Sequence, residues 1–416
     1  MRPSPPARGT DEVLRARGCG RAEVRKSRNT PSDTGRDSAQ RSFEPKVPAI
    51  RVRNMWYIGQ STIVGMHEAS SEPILDPDLP IVDPHHHLWD RSAEALTKLP
   101  ASEHGFVDIL RQVPRYLLDE LLGDLRSGHN VVGTVFVECG AMYRTSGPAA
   151  FRCVGETEFV GGVAAMTASG IYGAVRACAG IVGHVDLRLG AVVEDVLRSH
   201  IAAGHGRFRG IRQSGAFDED PDVLGPLHGR VPSGLYREPI FRDGFALLEK
   251  LGLSFDAWML EPQLADLIDL AQAFPGTTIV LDHVGTPLGI GRYAGKREER
   301  FGIWRDNMRS LAKSPNVNVK LGGLPMPFAG WRKRMDEPAE SSETLAAQWR
   351  PYIETCIEAF GPKRCMFESN FPVDKFGASY PALWNAFKRI SAGASPEEKA
   401  ELFRGTATRV YRLSLV

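Results

Sequence analysis

Four runs follow one another between residues 245 and 282: Phe245-Ala-Leu-Leu-Glu-Lys-Leu251, Leu253-Ser-Phe-Asp-Ala-Trp258, Gln263-Leu-Ala-Asp-Leu-Ile-Asp-Leu-Ala271 and Thr278-Ile-Val-Leu-Asp282. The first and third carry apolar residues at i, i+3 and i+4, the spacing of one helical stripe. The second and fourth are short apolar runs of strand length. Helix and strand in alternation mean parallel strands joined by crossover helices. Working outward, further strand-like runs stand at Pro80–Asp83, Val131–Val137, Gly180–Asp186, Phe208–Arg212, Val317–Leu321 and Arg364–Phe367. Helical spacing recurs over Pro114–Leu125, Ala191–Leu197 and Trp349–Phe360. The strand-like runs number eight, which predicts a single-domain α/β fold of the (β/α)8 TIM-barrel type over about residues 79–413. On pattern alone, an open doubly wound sheet is the alternative.

The chain has 416 residues, of which 42% are hydrophobic and 24% charged, enough apolar material for a large core. Lys plus Arg is 51 and Asp plus Glu is 50, so no global charge calls for nucleic acid or an anionic membrane as partner. That balance hides an asymmetry. Residues 1–50 carry a basic surplus of five, and the remainder an acidic surplus of four. Residues 1–54 have no apolar period and read as a disordered leader, or as an extension from too early a start codon, with Met55 or Met66 as the true start. Asp11, Glu12 and Glu23 argue against a transit peptide, and no apolar h-region marks a secretory signal. No run of about 18 apolar residues predicts a membrane span. A cytoplasmic protein is expected, and a homo-oligomer is compatible with the sequence. The six cysteines, Cys139 among them, show no CxxC pair and read as reduced thiols. Gly289-Ile-Gly291 with Gly295 mimics a dinucleotide loop, but the third Gly is one residue late and no amphipathic helix opens there, so no nucleotide cofactor is expected.

In a barrel, chemistry gathers where strands end. The first strand ends Asp83-Pro-His85-His86-His87-Leu-Trp89, and alternation points His85 and His87 to one face. Glu138 closes the second strand, Arg212 the fourth, Trp258 the fifth and His283 the sixth. The eighth runs Phe367-Glu368-Ser-Asn370-Phe-Pro372, with Asp374 just beyond, and Glu368 and Asn370 share a face. Paired imidazoles suit a metal or a polarised carbonyl, a carboxylate at the mouth suits a general base, and an Arg can clamp a substrate carboxylate. Trp89 and Trp258 could line an apolar substrate pocket, with Asp374 as a second polar contact or base.

Asp83-x-His85-x-His87, Gly210-Ile-Arg212, Leu281-Asp-His283-x-Gly285-x-Pro287, Met366-Phe-Glu-Ser-Asn-Phe-Pro-Val373 and the closing stretch Phe403–Leu413, in that order, resemble the amidohydrolase-related family and its lactonase-like branch. The resemblance implies a distorted barrel and a hydrolytic or decarboxylating activity on a small carboxylated molecule. It carries His85, His87 and His283 over as the family histidines and Arg212 as the family arginine. The eighth-strand Asp of the family falls on Asn370, whose amide cannot accept a proton near neutral pH. We therefore read Glu368 as the replacement base, with His85, His87 and His283 stabilising the oxyanion, and Asn370 in the catalytic group. No lysine follows Gly-Ile-Arg to bridge two metals, so the expectation is either no cofactor or one divalent ion, zinc first, on His85, His87, Glu138 and His283. The loops over about 88–113 and 213–237 would form a lid. Three functions remain open: a lactone or ester hydrolase, a metal-dependent decarboxylase of aromatic or muconate-type acids, and a catalytically silent binding barrel.

Overall fold

A computed structural model of the chain describes residues 72–415 apart from Lys333; the leader read over residues 1–54 lies outside them. Eight parallel strands form one sheet in sequential order: β1 (Ile81–His86), β2 (Val131–Val137), β3 (Arg176–Gly183), β4 (Phe208–Arg212), β5 (Ser254–Ala257), β6 (Ile279–Leu281), β7 (Val317–Leu321) and β8 (Cys365–Phe367). The near-closed barrel of the TIM type is completed beyond the end of β8. There Asn370 N–H donates to the His85 carbonyl at 2.9 Å, and His87 N–H donates to the Phe371 carbonyl at 2.7 Å. A register shift between Asp83 and His86 lets β1 run through Pro84 and reset its facing. Beyond it His85 and His87 face the barrel interior, while His86 turns outward to Thr134 at 2.8 Å and to Phe136.

Apolar packing falls into three layers. The largest lies between the strands and their helices, including Phe241, Phe245, Trp304, Trp349, Ile353 and Trp384. A second fills the floor of the barrel, where Val82, Val135, Val182, Val280 and Met366 meet Tyr411 and Leu413 from the chain end. That closing stretch folds as a π-turn (Glu401–Gly405) running into the helix Thr406–Val410. A third roofs the mouth, with Trp89, Ile109, Val223, Leu288, Phe328 and Phe376 drawn from several βα loops.

Two segments differ from the sequence reading. β3 begins at Arg176, earlier than its β-branched run, because Ala177-Cys178-Ala179 carries no strand signature and is held by pairing with β2. The stretch expected as helix from Pro114 starts at Leu118, since Arg115–Tyr116 pairs antiparallel with Trp89–Asp90. The loop over 88–113 also holds a helix of its own, Gly105–Gln112, whose buried face joins the roof. Across the mouth, the loop after β4 is tied to the loop after β6: Arg292 Nη2 donates to Asp218 at 2.9 Å and the Tyr293 hydroxyl donates to the same carboxylate at 2.8 Å. Among the described residues no helix is long and apolar enough to cross a membrane. Cys139, Cys153, Cys178, Cys356 and Cys365 are free thiols.

Candidate active site

The strand ends bring a compact set of polar groups to the centre of the barrel: His85, His87, Arg212, Asp256, Asp282, His283, Lys320, Glu368 and Asn370 are all buried. Asp256, Asp282 and Lys320 had no part in the sequence-derived site. Lys320, the fourth residue of the run Val317-Asn-Val-Lys-Leu321, reaches Asp256 at 2.7 Å and Asp282 at 3.0 Å with no solvent contact. A lysine inside an otherwise apolar strand is the signal that could have found it, because buried lysines are almost always paired. Tyr411, from the chain end, donates its hydroxyl to Asp256 at 2.6 Å and fixes this network to the barrel floor.

Glu368 sits between two imidazoles. Its Oε1 accepts from the His283 backbone N–H at 3.1 Å and lies 2.7 Å from His283 Nδ1; its Oε2 lies 2.8 Å from His85 Nδ1. Burial alone would raise its pKa, but the charges and hydrogen bonds of His283 and His85 hold it down at about 2. Room for this arrangement comes from Gly322 and Gly323 after β7. A Cβ on Gly322 would lie 2.4 Å from Glu368 Cγ, and one on Gly323, whose φ is +68°, 2.4 Å from His283 Cβ. Backbone freedom is needed on the facing side too, where His283 and Asn370 take left-handed φ values of 57° and 54°.

These contacts fix the tautomer of His87 and leave that of His85 open to either form. His85 Nδ1 lies 2.8 Å from Glu368 Oε2 and 3.1 Å from the Lys320 ammonium, which can only donate, so it meets an acceptor and a donor together. His87 Nδ1 lies 2.8 Å from the Val137 carbonyl, which can only accept, and so carries a hydrogen. The His87 Nε2 lone pair therefore faces His85 Nε2 at 3.3 Å and Asn370 Oδ1 at 3.2 Å. Burial first, and then the Lys320 charge, lowers the His85 pKa; burial, then His85 and Arg212, holds His87 well below the ordinary range. The His87 ring stays neutral. An imidazole lone pair and an amide oxygen aimed at one another in a buried site call for a cation, and a neutral imidazole anchored through Nδ1–H is the donor type a divalent metal takes. The charge balance agrees. Four carboxylates, Glu138, Asp256, Asp282 and Glu368, surround two cations, Arg212 and Lys320. On the other side of the same imidazole, His85, Asp282 and His283 each offer a ligand atom, all within 4.8 Å of one another. The residues present fit a single ion.

Of the other residues singled out from the sequence, Glu138 faces Arg212, accepting from Nε at 2.8 Å, and its carbonyl accepts from Nη2 at 2.5 Å. It does not converge on the histidines, and Asp282 stands nearer to them. Arg212 Nη1 lies 3.4 Å from Asp282 and 3.4 Å from His85 Nε2, so its guanidinium is largely taken up within the protein. Asp374 is buried and accepts from the Asn370 amide at 2.7 Å; burial, followed by the charge of Glu368, pushes its pKa well up. Trp89 stacks on His87, ring centroids 6.3 Å apart, and donates its indole N–H to the Val113 carbonyl. Trp258 packs near Phe328 in the roof, its indole N–H without a partner.

A model of the amidohydrolase family matches residues 82–413, so the match runs from the first strand to the closing helix. The chain belongs to the amidohydrolase family. This amidohydrolase is 35% identical over 339 residues to y4mH of Sinorhizobium fredii, a protein without an assigned function, covering 81% of this chain and 99% of that one. It is 32% identical over 178 residues to the L-fucono-1,5-lactonase of Burkholderia multivorans, covering 42% of this chain and 56% of the lactonase. An amidohydrolase of Burkholderia multivorans, solved once with HEPES and once with zinc bound, shares the fold at a TM-score of 0.60 and 24% identity, over 80% of this chain and 99% of that one.

Proposed function

We propose that this amidohydrolase opens a lactone or related ester of a small carboxylated substrate by attack of an activated water at the barrel mouth. The observation that carries the reading is the His87 Nε2 lone pair, fixed by the hydrogen on Nδ1 and aimed at Asn370 Oδ1 and His85 Nε2. Support comes from the similarity to a sugar lactonase and from the zinc in the related amidohydrolase. His85, His87 and Asn370, with Asp282 alongside, would hold one divalent ion, zinc first. When bound, such an ion supplies Lewis-acid polarisation of a carbonyl or water oxygen.

The chain's own residues divide the remaining work. Glu368 has both oxygens engaged and a pKa of about 2, which makes it a poor base and a good orienting group. Its bond to Nδ1–H leaves Nε2 of His283 as the atom able to take the proton of the attacking water, in the manner of an acid-oriented histidine base. The base assigned to Glu368 from the sequence thus passes to His283, with Glu368 acting through it. Arg212, beside His85 Nε2, offers positive charge where the tetrahedral oxyanion forms.

A lactone panel followed by pH-stat, on protein of known metal content, tests the reading. Proton release with ring opening is expected, and His283→Asn should lower kcat about 10²–10⁴-fold. Release of CO₂ from a carboxylic-acid panel without lactone turnover would overturn it.

A further inference from the structure

On that reading, the part of a substrate that does not react must lie where the polar set meets solvent. Most of that set is closed off: His85, Asp256, Asp282, Lys320 and Glu368 have no exposure at all. Solvent reaches it along one side, where the Glu138 side chain is 15% exposed, Arg212 9%, and His184 half-buried. These three stand at the ends of neighbouring strands. β3 lies between β2 and β4, so the Glu138–Arg212 ion pair crosses the β3 end, and His184 is the first residue past that end. Val182 belongs to the packing inside the barrel, whereas a Cβ on Gly183 would meet Phe208 and His200 on the outer side, so alternation turns His184 inward.

His184 Nδ1 lies 3.0 Å from the Arg212 carbonyl, which can only accept, so Nδ1 carries a hydrogen. Its Nε2 has no partner among the described residues. Histidines with a structural role in this fold do not leave a nitrogen idle. His86, His104, His129 and His200 each meet a partner on both ring nitrogens. Among the described histidines that are not exposed, only His283, the proposed base, and His184 keep one free. In the neutral ring that free Nε2 is an acceptor. Beside it, Glu138 accepts from Arg212 through Oε1, and Oε2 accepts from no described residue. Two acceptors at one opening call for a donor, and a substrate carboxylate placed there would meet the charge of Glu138.

We infer that His184 is a substrate-binding residue whose Nε2 accepts the hydrogen of a substrate hydroxyl, with Glu138 beside it as a second acceptor. The recognised class is a lactone or ester that carries hydroxyl groups on the side lying along the β2–β4 ends. Any carboxylate it bears points away from that side.

The test compares 5-oxotetrahydrofuran-2-carboxylate with its 3,4-dihydroxy form, which differ by two hydroxyls alone, in wild type, His184→Gln and His184→Leu. Their ring-opened products, 2-hydroxyglutarate and 2,3,4-trihydroxyglutarate, are titrated calorimetrically into each protein. Loss of one neutral hydrogen bond should cut the wild-type preference for the hydroxylated lactone, read as the ratio of the two KM values, about fivefold in His184→Leu. His184→Gln keeps an acceptor and should lose less; an equal loss in both variants would assign the effect to the strand end and overturn the contact. An unchanged preference in His184→Leu, or KM raised equally for both lactones, would overturn it too and leave the hydrolase reading intact. If neither lactone turns over, the hydrolase reading falls and calorimetry decides on His184. A preference for trihydroxyglutarate that His184→Leu loses sustains the contact, and its absence from wild type overturns it.

Discussion

Glu368→Gln removes one charge, keeps the shape and reverses one hydrogen bond. The glutamine oxygen can still accept from His283 Nδ1–H, but its amide would then point a hydrogen at His85 Nδ1, which lies 2.8 Å from the present carboxylate. His85 Nδ1, facing that amide and the Lys320 ammonium, would then have to accept, which puts the ring's hydrogen on Nε2 towards His87. The stability cost comes from linkage. A carboxyl held at about 2 in the fold against 4.5 ordinarily contributes on the order of 3 kcal/mol at neutral pH. Because this pKa is depressed, the contribution is complete above about pH 4.5 and is lost as pH falls through about 2. Denaturant unfolding of both proteins at pH 7 and pH 3 should therefore show a gap that narrows in acid. The variant should also bind zinc weakly, by elemental analysis, and show kcat/KM reduced at least about 10²-fold. Near-normal turnover in a folded variant, or a stability gap independent of pH, would refute the tautomer argument.

Lys320→Met leaves Asp256 and Asp282 facing each other without their cation and should destabilise the fold by about 3–5 kcal/mol, read from denaturant midpoints; a loss under about 1 kcal/mol would show the network to be dispensable. Asn370→Asp should fold, because Asp374 keeps its proton and can donate it across the present 2.7 Å contact. Zinc affinity, measured by chelator competition, should rise about tenfold, and an unchanged affinity would remove Asn370 from the ion's surroundings. Glu156, buried beside Glu138, has a pKa raised to about 8, by burial first and then by that charge. A carboxyl with a raised pKa contributes fully below about pH 4.5 and loses that contribution as pH rises through 8, so wild type should weaken towards about pH 9. Glu156→Gln should flatten the decline, and an identical decline in both would assign it elsewhere.

Much of this molecule is legible from residue order. Apolar periodicity places the eight strands, because a strand buried on both faces and a helix buried on one leave different spacings. Alternation alone pairs His85 with His87 and turns His86 away, although the register shift after Asp83 that sets this facing is visible only in the pairing with β2. The positions of His283, Arg212 and Glu368 at strand ends were likewise readable. Their roles were not, because a role depends on the partner. Glu368 looked like a free base until His85 and His283 were found on its two oxygens, and Arg212 like a substrate clamp until Glu138 took it up.

The sequence by itself determined the barrel and the strand ends that carry His85, His87, Arg212, His283 and Glu368, since these come from local spacing that every segment carries. Only the closed barrel decided which charges meet. Lys320 is 64 residues from Asp256 in the chain and 235 from His85, yet it lies 2.7 Å from the one and 3.1 Å from the other. Electrostatic partners that distant are chosen when neighbouring strands come into register. Proton positions and the site's need for positive charge are therefore properties of the fold.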